Sequence, residues 1–298
     1  MITVFKINYI LQDYGNKNTE GDDVPSDNFT LHIIPGYIEN LFLAEYQHGL
    51  LLLDCGAVSD VKRIEDFCRE KLHRSPSEIK LAVVTHMHPD HAGGAVLLRE
   101  KFGIPLAAHK DLDRWYAGPG GFMQKVIDCV LMQTVARRTR GKLEKGLFNS
   151  RIQADHLLAD GDALPFFPDW TAIVVPGHTS HDLVLYNEPE SLLYVADCFL
   201  EVKGKYQTPL PVMFPHWLHA SYAKMDALKA SSLLIAHGEA RRDNIPTDLF
   251  LSLQDLLQIP PNKLIRRIKR LSIYTPEWRR QNMLQKSEQD SCHQDIFH

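Results

Sequence analysis

The feature that most constrains this chain is a run of three histidines and one aspartate within residues 86–91, directly after an apolar segment. His86 and His88 are separated by one residue, so their side chains point the same way on an extended backbone. Pro89 then ends the extended segment and favours a turn that carries Asp90 and His91. Imidazole and carboxylate groups are common ligands of divalent metals, so the run predicts a metal site at a strand end. The alternative is a polar surface turn.

Composition argues against several other classes of protein. The 298 residues are 44% hydrophobic and 23% charged, with a net charge of −4, which is ordinary for a soluble enzyme and gives no reason to expect a nucleic-acid partner. Five cysteines without a CxxC pair predict neither a disulfide framework nor a zinc knuckle. We find no signal-peptide pattern and no apolar run of about 18–20 residues, so we expect a cytoplasmic protein without a membrane partner.

Hydrophobic periodicity predicts alternating strands and helices, as in a layered α/β domain. Residues 13–28 are predicted to form an exposed loop. The predicted strands are 41–46, 50–54, 81–85, 171–175, 183–186, 192–196 and 233–236. The predicted helices are 60–72, capped by Ser59, then 95–101, 123–139 and 220–231. We expect one domain over residues 1–260, followed by a C-terminal helix and polar, basic tail over 261–298, with an oligomer contact or an anionic docking site as the alternative for that tail.

Four further polar residues follow predicted strands, where sites are commonly built in layered α/β folds. His178 lies in the sequence Pro-Gly-His-Thr after one strand, and His237 precedes a glycine after another. Asp54 and Asp197 each close a strand. Taken singly, each is more simply a strand-end polar group, a turn former or a helix cap. Their occurrence together with the histidine run favours a shared site.

This pattern resembles the metallo-β-lactamase-fold hydrolase superfamily, in its dinuclear branch with lactonases and glyoxalase II. The matching residues span about 50 to 240 and are His86-x-His88-x-Asp90-His91, His178, Asp197 and His237. The resemblance implies an α/β fold of the αββα four-layer sandwich type. Residues at about 110–156, which are helical in pattern, are expected to form an insertion that departs from the minimal fold. The resemblance also implies two divalent metal ions, with zinc expected and iron or manganese as alternatives.

Carried over by position, the resemblance assigns ligands to each metal. The first metal takes His86, His88 and His178; the second takes Asp90, His91 and His237; and Asp197 bridges both. Asp90 is also the expected catalytic residue, because it would orient a hydroxide held between the metals. Asp54 and His181 are expected outside the ligands, where they support the histidine loop or the rim.

The substrate is predicted only as a class. The insertion, together with residues 209–217, supplies apolar side chains for a pocket, of which we single out Trp115, Tyr116, Phe122 and Phe214. An apolar roof favours a small, moderately hydrophobic ester, lactone or thioester, although these side chains serve equally well to close the core. Lactonases of this fold carry a tyrosine three residues after the bridging aspartate, where this chain has Leu200, which weakens the lactonase interpretation.

Three other functions compete with this one. They are a single-iron redox enzyme similar to persulfide dioxygenases, a phosphodiester or phosphotriester hydrolase, and a binding module that has lost its chemistry. Because no ligand of the expected set is missing, a hydrolase is favoured. A small-molecule substrate and a possible homodimer complete the expectations.

Overall fold

The computed structural model describes residues 24–25, 28–139 and 141–260. The C-terminal segment 261–298 and most of the predicted loop 13–28 lie outside the described residues, so the domain boundary at residue 260 stays a prediction. Within the described part, two mixed β-sheets carry most of the regular structure.

The first sheet contains seven strands that follow one another in chain order. They are β1 (Val24–Pro25), β2 (Thr30–Pro35), β3 (Asn40–Tyr46), β4 (Gly49–Leu53), β5 (Ile79–Val84), β6 (Leu106–His109) and β7 (His156–Leu158). Pairing is antiparallel from β1 to β4 and parallel from β4 to β7. The carboxyl ends of β4 and β5 therefore lie side by side, which brings the residues after each strand together.

The second sheet contains six strands. Along the chain they are β8 (Asp162–Leu164), β9 (Phe167–Val174), β10 (Leu183–Asn187), β11 (Leu192–Tyr194), β14 (Ser232–Leu234) and β15 (Arg241–Asp243), and β12 (Leu200–Val202) pairs with β13 (Lys205–Gln207) as a separate ribbon. The spatial order is β15-β14-β11-β10-β9-β8, with β11 and β14 parallel. The residues that follow β11 and β14 consequently meet at one sheet edge.

The two sheets pack face to face through a continuous apolar core. Phe42 and Val83 from the first sheet and Trp170 and Leu185 from the second belong to one cluster of buried side chains. Burial of these groups removes apolar surface from water and is the main favourable contribution to folding. This core holds the strand ends of both sheets in a fixed relation.

Helices cover the outer face of each sheet. On the first sheet lie α1 (Asp60–Asp66), α2 (Ala95–Phe102) and α3 (Gly118–Thr139), which contribute Ile64, Leu98 and Cys129 to a second buried cluster. On the second sheet lie α4 (Pro215–Ala227) and α5 (Leu249–Leu257), which contribute Tyr222 and Leu253 to a third. The predicted αββα sandwich is thus confirmed. Among the described residues, none of the helices combines the length and the apolar character that a membrane span requires.

Helix boundaries differ from the predictions in three places. The predicted helix 60–72 is α-helical only to Asp66 and continues as a π-helical turn to Lys71. The predicted helix 220–231 runs from Pro215 to Ala227, because proline is well suited to the first turn and Lys229 adopts a left-handed φ of 52° that ends the helix. The helix predicted over 123–139 already begins at Gly118.

The insertion is also less helical than expected. After α3, residues 145–154 form no regular element. Asp113 explains part of this, since its two carboxylate oxygens accept hydrogen bonds of 2.9 Å from the backbone N–H groups of Ile152 and Gln153. Phe148 and Ile152 bury their side chains in the core along this extended path. Tertiary contacts therefore replace helical hydrogen bonds in the second half of the insertion.

The docking of α5 offers a direct test of the layer arrangement. Leu253 is fully buried on the second sheet, whereas Leu251, two residues earlier on the same helix, is 62% exposed. We expect Leu253→Ala to lower the free energy of unfolding by about 2–4 kcal/mol, since it leaves a cavity, and Leu251→Ala by less than about 1 kcal/mol. Urea denaturation of both variants measures this difference, and equal losses would contradict the assignment of faces.

Candidate metal centre

The histidine run lies in a tight turn between β5 and α2. His86 and His88 follow the end of β5 at Val84, and the backbone N–H groups of His91 and Ala92 donate to the His88 carbonyl at 3.1 and 2.8 Å. Only glycine fits at position 93 of this turn, because a Cβ atom there would lie 2.1 Å from the carbonyl oxygen of Pro89 in the same turn. The turn therefore has little freedom, and its ligand side chains are fixed by the backbone.

A first group of ligand atoms is formed by three histidines. His88 Nδ1 lies 3.1 Å from His86 Nε2 and 2.8 Å from His178 Nε2. Asp197 Oδ2 completes the group at 3.4 Å from His178 Nε2 and 3.9 Å from His86 Nε2. All four ligand atoms lie within 4.8 Å of one another, so they can hold a metal ion.

A second group lies on the other side of Asp197. Asp197 Oδ1 is 3.1 Å from His91 Nε2 and 3.2 Å from His237 Nε2. Asp90 Oδ2 is 3.3 Å from His237 Nε2 and 4.0 Å from His91 Nε2. The two carboxylate oxygens of Asp197 thus face different groups, as a bridging ligand requires. The structure brings together all seven predicted ligands, which come from four loops of the two sheets.

The second group fits a cation, as two of its atoms show. His91 Nε2 and Asp197 Oδ1 are buried and have no hydrogen-bond partner among the described residues, although they lie only 3.1 Å apart. Buried polar atoms are nearly always paired, and unpaired ones indicate a missing ligand, water or ion. Imidazole nitrogen and carboxylate oxygen are both suitable ligands of zinc and similar divalent metals.

Backbone carbonyls orient two of the histidines from behind. His178 Nδ1 lies 2.8 Å from the Pro211 oxygen, and His237 Nδ1 lies 3.1 Å from the Ile38 oxygen. Since a carbonyl only accepts, each Nδ1 carries a proton and each Nε2 is the nitrogen that faces the site. The rings are therefore oriented as a metal bound through Nε2 requires.

Asp54 supports the turn from the first sheet, as predicted. Its Oδ1 accepts from the Thr85 backbone N–H at 2.8 Å, and its Oδ2 accepts from the Thr85 and Tyr194 hydroxyls at 2.7 Å each. His91 Nδ1 lies 2.9 Å from the same Oδ2. The carboxylate is fully buried and fully bonded, so it fixes the position of His91 through several strong contacts.

The two groups differ in charge. Burial lowers the pKa of His88 to about 3 and holds the pKa of His86 well below its usual value, so these rings are neutral. Burial also disfavours the His237 cation, but the carboxylates of Asp197 and Asp90 outweigh it and raise the pKa of His237 to about 10. Burial also disfavours the His178 cation, but Asp197 outweighs it and raises the pKa of His178 above its usual value. Without a metal, His86 and His88 are therefore neutral, whereas the histidines that face Asp197 and Asp90 retain protons.

A polar network on α3 was not predicted. Asp128 Oδ2 accepts from the Tyr116 hydroxyl at 2.7 Å, and its Oδ1 accepts from Gln124 Nε2 at 2.8 Å. The same Oδ2 lies 3.7 Å from His88 Nε2, behind the first group. Burial raises the pKa of Asp128 to about 7. The sequence did contain a sign of this network. Gln124 and Asp128 are four positions apart, so they lie on one face of the helix and place two polar groups among its buried residues.

Glu39 was also missed. Its side chain is fully buried, and its Oε2 lies 3.4 Å from His91 Nδ1. Burial raises its pKa well above the usual value. With His91 and His237 it forms a second set of potential ligand atoms within 4.8 Å of one another. Its signal in the sequence was a single acid between Ile38 and the apolar strand β3.

The residues predicted for the rim and the pocket lie in different surroundings. His181 is buried, accepts from the Met87 backbone N–H through Nε2 at 3.1 Å and packs against Trp115. Trp115 and Phe214 are buried within the cluster between the first sheet and its helices. Phe122 is 64% exposed, and helical spacing places it on a different face of α3 from Asp128. Tyr116 is linked to His88 through Asp128, and a pocket formed by these four residues stays a prediction.

Comparison with known proteins gives consistent matches. The family model for the metallo-beta-lactamase superfamily matches residues 34–237. A probable metallo-hydrolase, YflN, from Bacillus subtilis (strain 168) is 22% identical over 227 residues, which cover 70% of this chain and 83% of the relative.

Solved structures share the fold at low sequence identity. The metallo-beta-lactamase family protein TTHA1429 from Thermus thermophilus is 19% identical with a TM-score of 0.57, and the match covers 85% of this chain and 93% of that one. The metallo-beta-lactamase FIM-1 from Pseudomonas aeruginosa, in its mono-zinc form, is 18% identical with a TM-score of 0.52, covering 81% and 100% respectively.

The bonds of Asp54 generate a prediction about metal affinity. Asp54→Asn keeps the shape but replaces one oxygen by an NH₂ group, which cannot accept from Thr85, Tyr194 or His91. We expect metal affinity to fall by about 10–100-fold, as for other groups that orient metal-binding histidines. Competition with a chromophoric chelator measures this loss. Tyr194→Phe removes only one of the bonds and should give a smaller loss; a larger loss from Tyr194→Phe would contradict the central role of Asp54.

Proposed function

The chain belongs to the metallo-beta-lactamase superfamily, and from this premise we propose that it is a hydrolase that uses two divalent metal ions. The observation that carries the proposal is the convergence of three histidine nitrogens and one Asp197 oxygen on one side, and of two histidines and two carboxylates on the other. The match to a probable metallo-hydrolase supports the same activity.

In this proposal the described residues divide between two metal positions. The first position is held by His86, His88 and His178, the second by Asp90, His91 and His237, and Asp197 contributes one oxygen to each. Zinc is the expected metal, because nitrogen-rich sites with one or two carboxylates suit it and because FIM-1 binds zinc in the same fold. Iron and manganese are the alternatives.

When bound, such a pair of metals supplies Lewis acidity and a hydroxide nucleophile at neutral pH. The chain's own residues orient this chemistry. Asp90 Oδ2 lies at the edge of the second group, 3.3 Å from His237 Nε2 and 4.0 Å from His91 Nε2, so its carboxylate would both hold the second metal and orient a water molecule. No serine or cysteine nucleophile is needed, and the described cysteines are all buried.

The charges of the site favour a neutral acyl substrate. The ion pairs that involve the seven ligands join only histidines to carboxylates, and in the described residues no lysine or arginine pairs with these carboxylates. Asp128, Asp54 and Glu39 add further carboxylates around it. Among the described residues no cationic side chain is placed to bind a phosphodiester anion, so any attraction for it would have to come from the two metals alone. An ester, lactone or thioester of a small, moderately hydrophobic molecule is therefore the better candidate.

Two alternative functions are kept because the same fold accommodates them. The first is a phosphotriester hydrolase, since a neutral phosphotriester needs no cationic side chain to bind it. A single-iron redox enzyme would require only the first group, whereas here the second group retains all of its ligands. We further propose that the partner of this protein is a small molecule rather than a nucleic acid or a membrane.

Ligand substitutions test the proposed site. We expect His86→Ala and Asp197→Asn each to lower kcat/KM for any accepted ester or thioester by at least about 1,000-fold, because each removes a metal ligand. The circular dichroism spectrum should be unchanged, since the strands around the site are held by the apolar core. His219→Ala, at an exposed position on α4 and outside the segment 209–217, is the matched control. Retained turnover in the ligand variants would contradict the proposal.

Metal analysis and substrate choice form a second test. Protein purified without chelator should contain about two zinc ions per chain and should lose turnover on dialysis against a strong chelator. A panel of a lactone, a thioester and a bis-aryl phosphodiester should show turnover of the first two above the third. One iron per chain with oxygen consumption would instead support the redox enzyme, and preferred phosphodiester cleavage would contradict the charge argument.

A further inference from the structure

We propose that Glu39 supports metal binding at the second metal position. Its carboxylate lies behind His91 and His237, and its negative charge would raise the affinity of that position and not of the first. This inference rests on the proposed function, since it assumes that a metal occupies the second group. It concerns a residue outside the seven ligands and outside the supporting role of Asp54.

The backbone holds Glu39 in a fixed place. The Gly36 N–H donates to the Glu39 carbonyl oxygen at 2.9 Å, and a Cβ atom on Gly36 would approach that oxygen to 2.8 Å. The next residue, Asn40, binds the other sheet: its backbone N–H donates to Ala236 at 2.8 Å, and its side chain donates to the carbonyl of Gly238 at 3.1 Å. Glu39 is thus tied to the loop that carries His237.

The Glu39 side chain lacks the partners that a buried carboxylate needs. It is fully buried, and neither oxygen has a hydrogen-bond partner in the part of the chain that the structure describes. Its nearest charged neighbour is His91, with 3.4 Å between Oε2 and Nδ1. A buried carboxylate without compensation is strongly unfavourable, so its presence here calls for positive charge nearby.

Orientation of His91 does not explain Glu39. The Nδ1 of His91 already lies 2.9 Å from Asp54 Oδ2, which is the shorter contact, and one Nδ1–H cannot serve both acids well. What Glu39 adds is charge. Its oxygen, His91 and His237 place ligand-type atoms within 4.8 Å of one another, next to the second group and not the first. A divalent ion bound by His91 and His237 would offset the negative charge of Glu39, because the two charges would lie close together in the protein interior, where water screens them little.

The central experiment compares metal binding by the wild type and Glu39→Gln in full-length protein. Both are dialysed against buffered series of free Zn²⁺ and Co²⁺, and bound metal is measured by emission spectroscopy, with Co²⁺ absorption as an independent signal. We expect the variant to bind the first metal normally and the second about 10–100-fold more weakly. Glu45→Gln is the matched control, because Glu45 lies six residues away and pairs with His32 and Arg74 instead.

Thermal unfolding separates this role from simple packing. If Glu39 acts on the metal, Glu39→Gln should melt at the same or a higher temperature than the wild type without metal, since neither Glu39 oxygen has a hydrogen-bond partner to lose among the described residues. At the same metal concentration it should gain less than the wild type, because stabilisation by a ligand grows with the logarithm of its affinity. A lower melting temperature by the same amount with and without metal would assign Glu39 a packing role and overturn the proposal.

Two further variants keep the test decisive. Glu39→Asp retains the charge and should keep second-metal affinity within about 10-fold of the wild type. If Glu39→Gln does not fold, Glu39→Leu removes the charge without leaving an unpaired amide. Equal weakening of both metal positions, or unchanged affinity in the charge-removing variant that folds, would overturn the proposal.

The outcomes also distinguish this proposal from the proposed function. A wild type that binds two metals but hydrolyses none of the panel would overturn the function while the Glu39 comparison stands. A wild type that binds fewer than two metals at saturation would overturn both.

Discussion

The buried carboxylate of Asp54 is the interaction on which the rest of the site depends. It closes β4, accepts from Thr85 at the end of β5 and from Tyr194 on β11, and lies against His91. These contacts join both sheets and the histidine turn through one fully buried side chain. Because the buried Asp54 carboxylate would lose these hydrogen bonds if the sheets shifted, the sheets must keep the relative position that satisfies it.

The two groups of proposed metal ligands differ in their charge. In the first group His86 and His88 are neutral, because burial lowers their pKa values, whereas Asp197 raises the pKa of His178. The second group holds more carboxylates than its histidines can offset without protons or a metal. A single residue, Asp197, contacts both groups with different oxygens.

Much of this site was predictable because its ligands obey local rules. His86 and His88 alternate on an extended segment, and His178, Asp197 and His237 each follow a strand, where short connections leave side chains at a sheet edge. The predicted strands agree with strands of the structure, because a continuous run of apolar residues strongly favours a buried strand. Helix ends were less predictable, as Gly118 shows, because packing rather than propensity decides where a helix begins.

The sequence by itself determined the alternation of strands and helices and the motifs that carry the family resemblance, since each is encoded in a short pattern of residues. The αββα sandwich and the seven proposed ligands followed from that resemblance. Only the tertiary structure decided which groups lie behind those ligands. Asp128 reaches His88 from a helix 40 residues further along the chain, and Glu39 reaches His91 across 52 residues. Neither has a local pattern that marks its role, because a carboxylate's effect depends on burial and on the charges around it, and folding sets both.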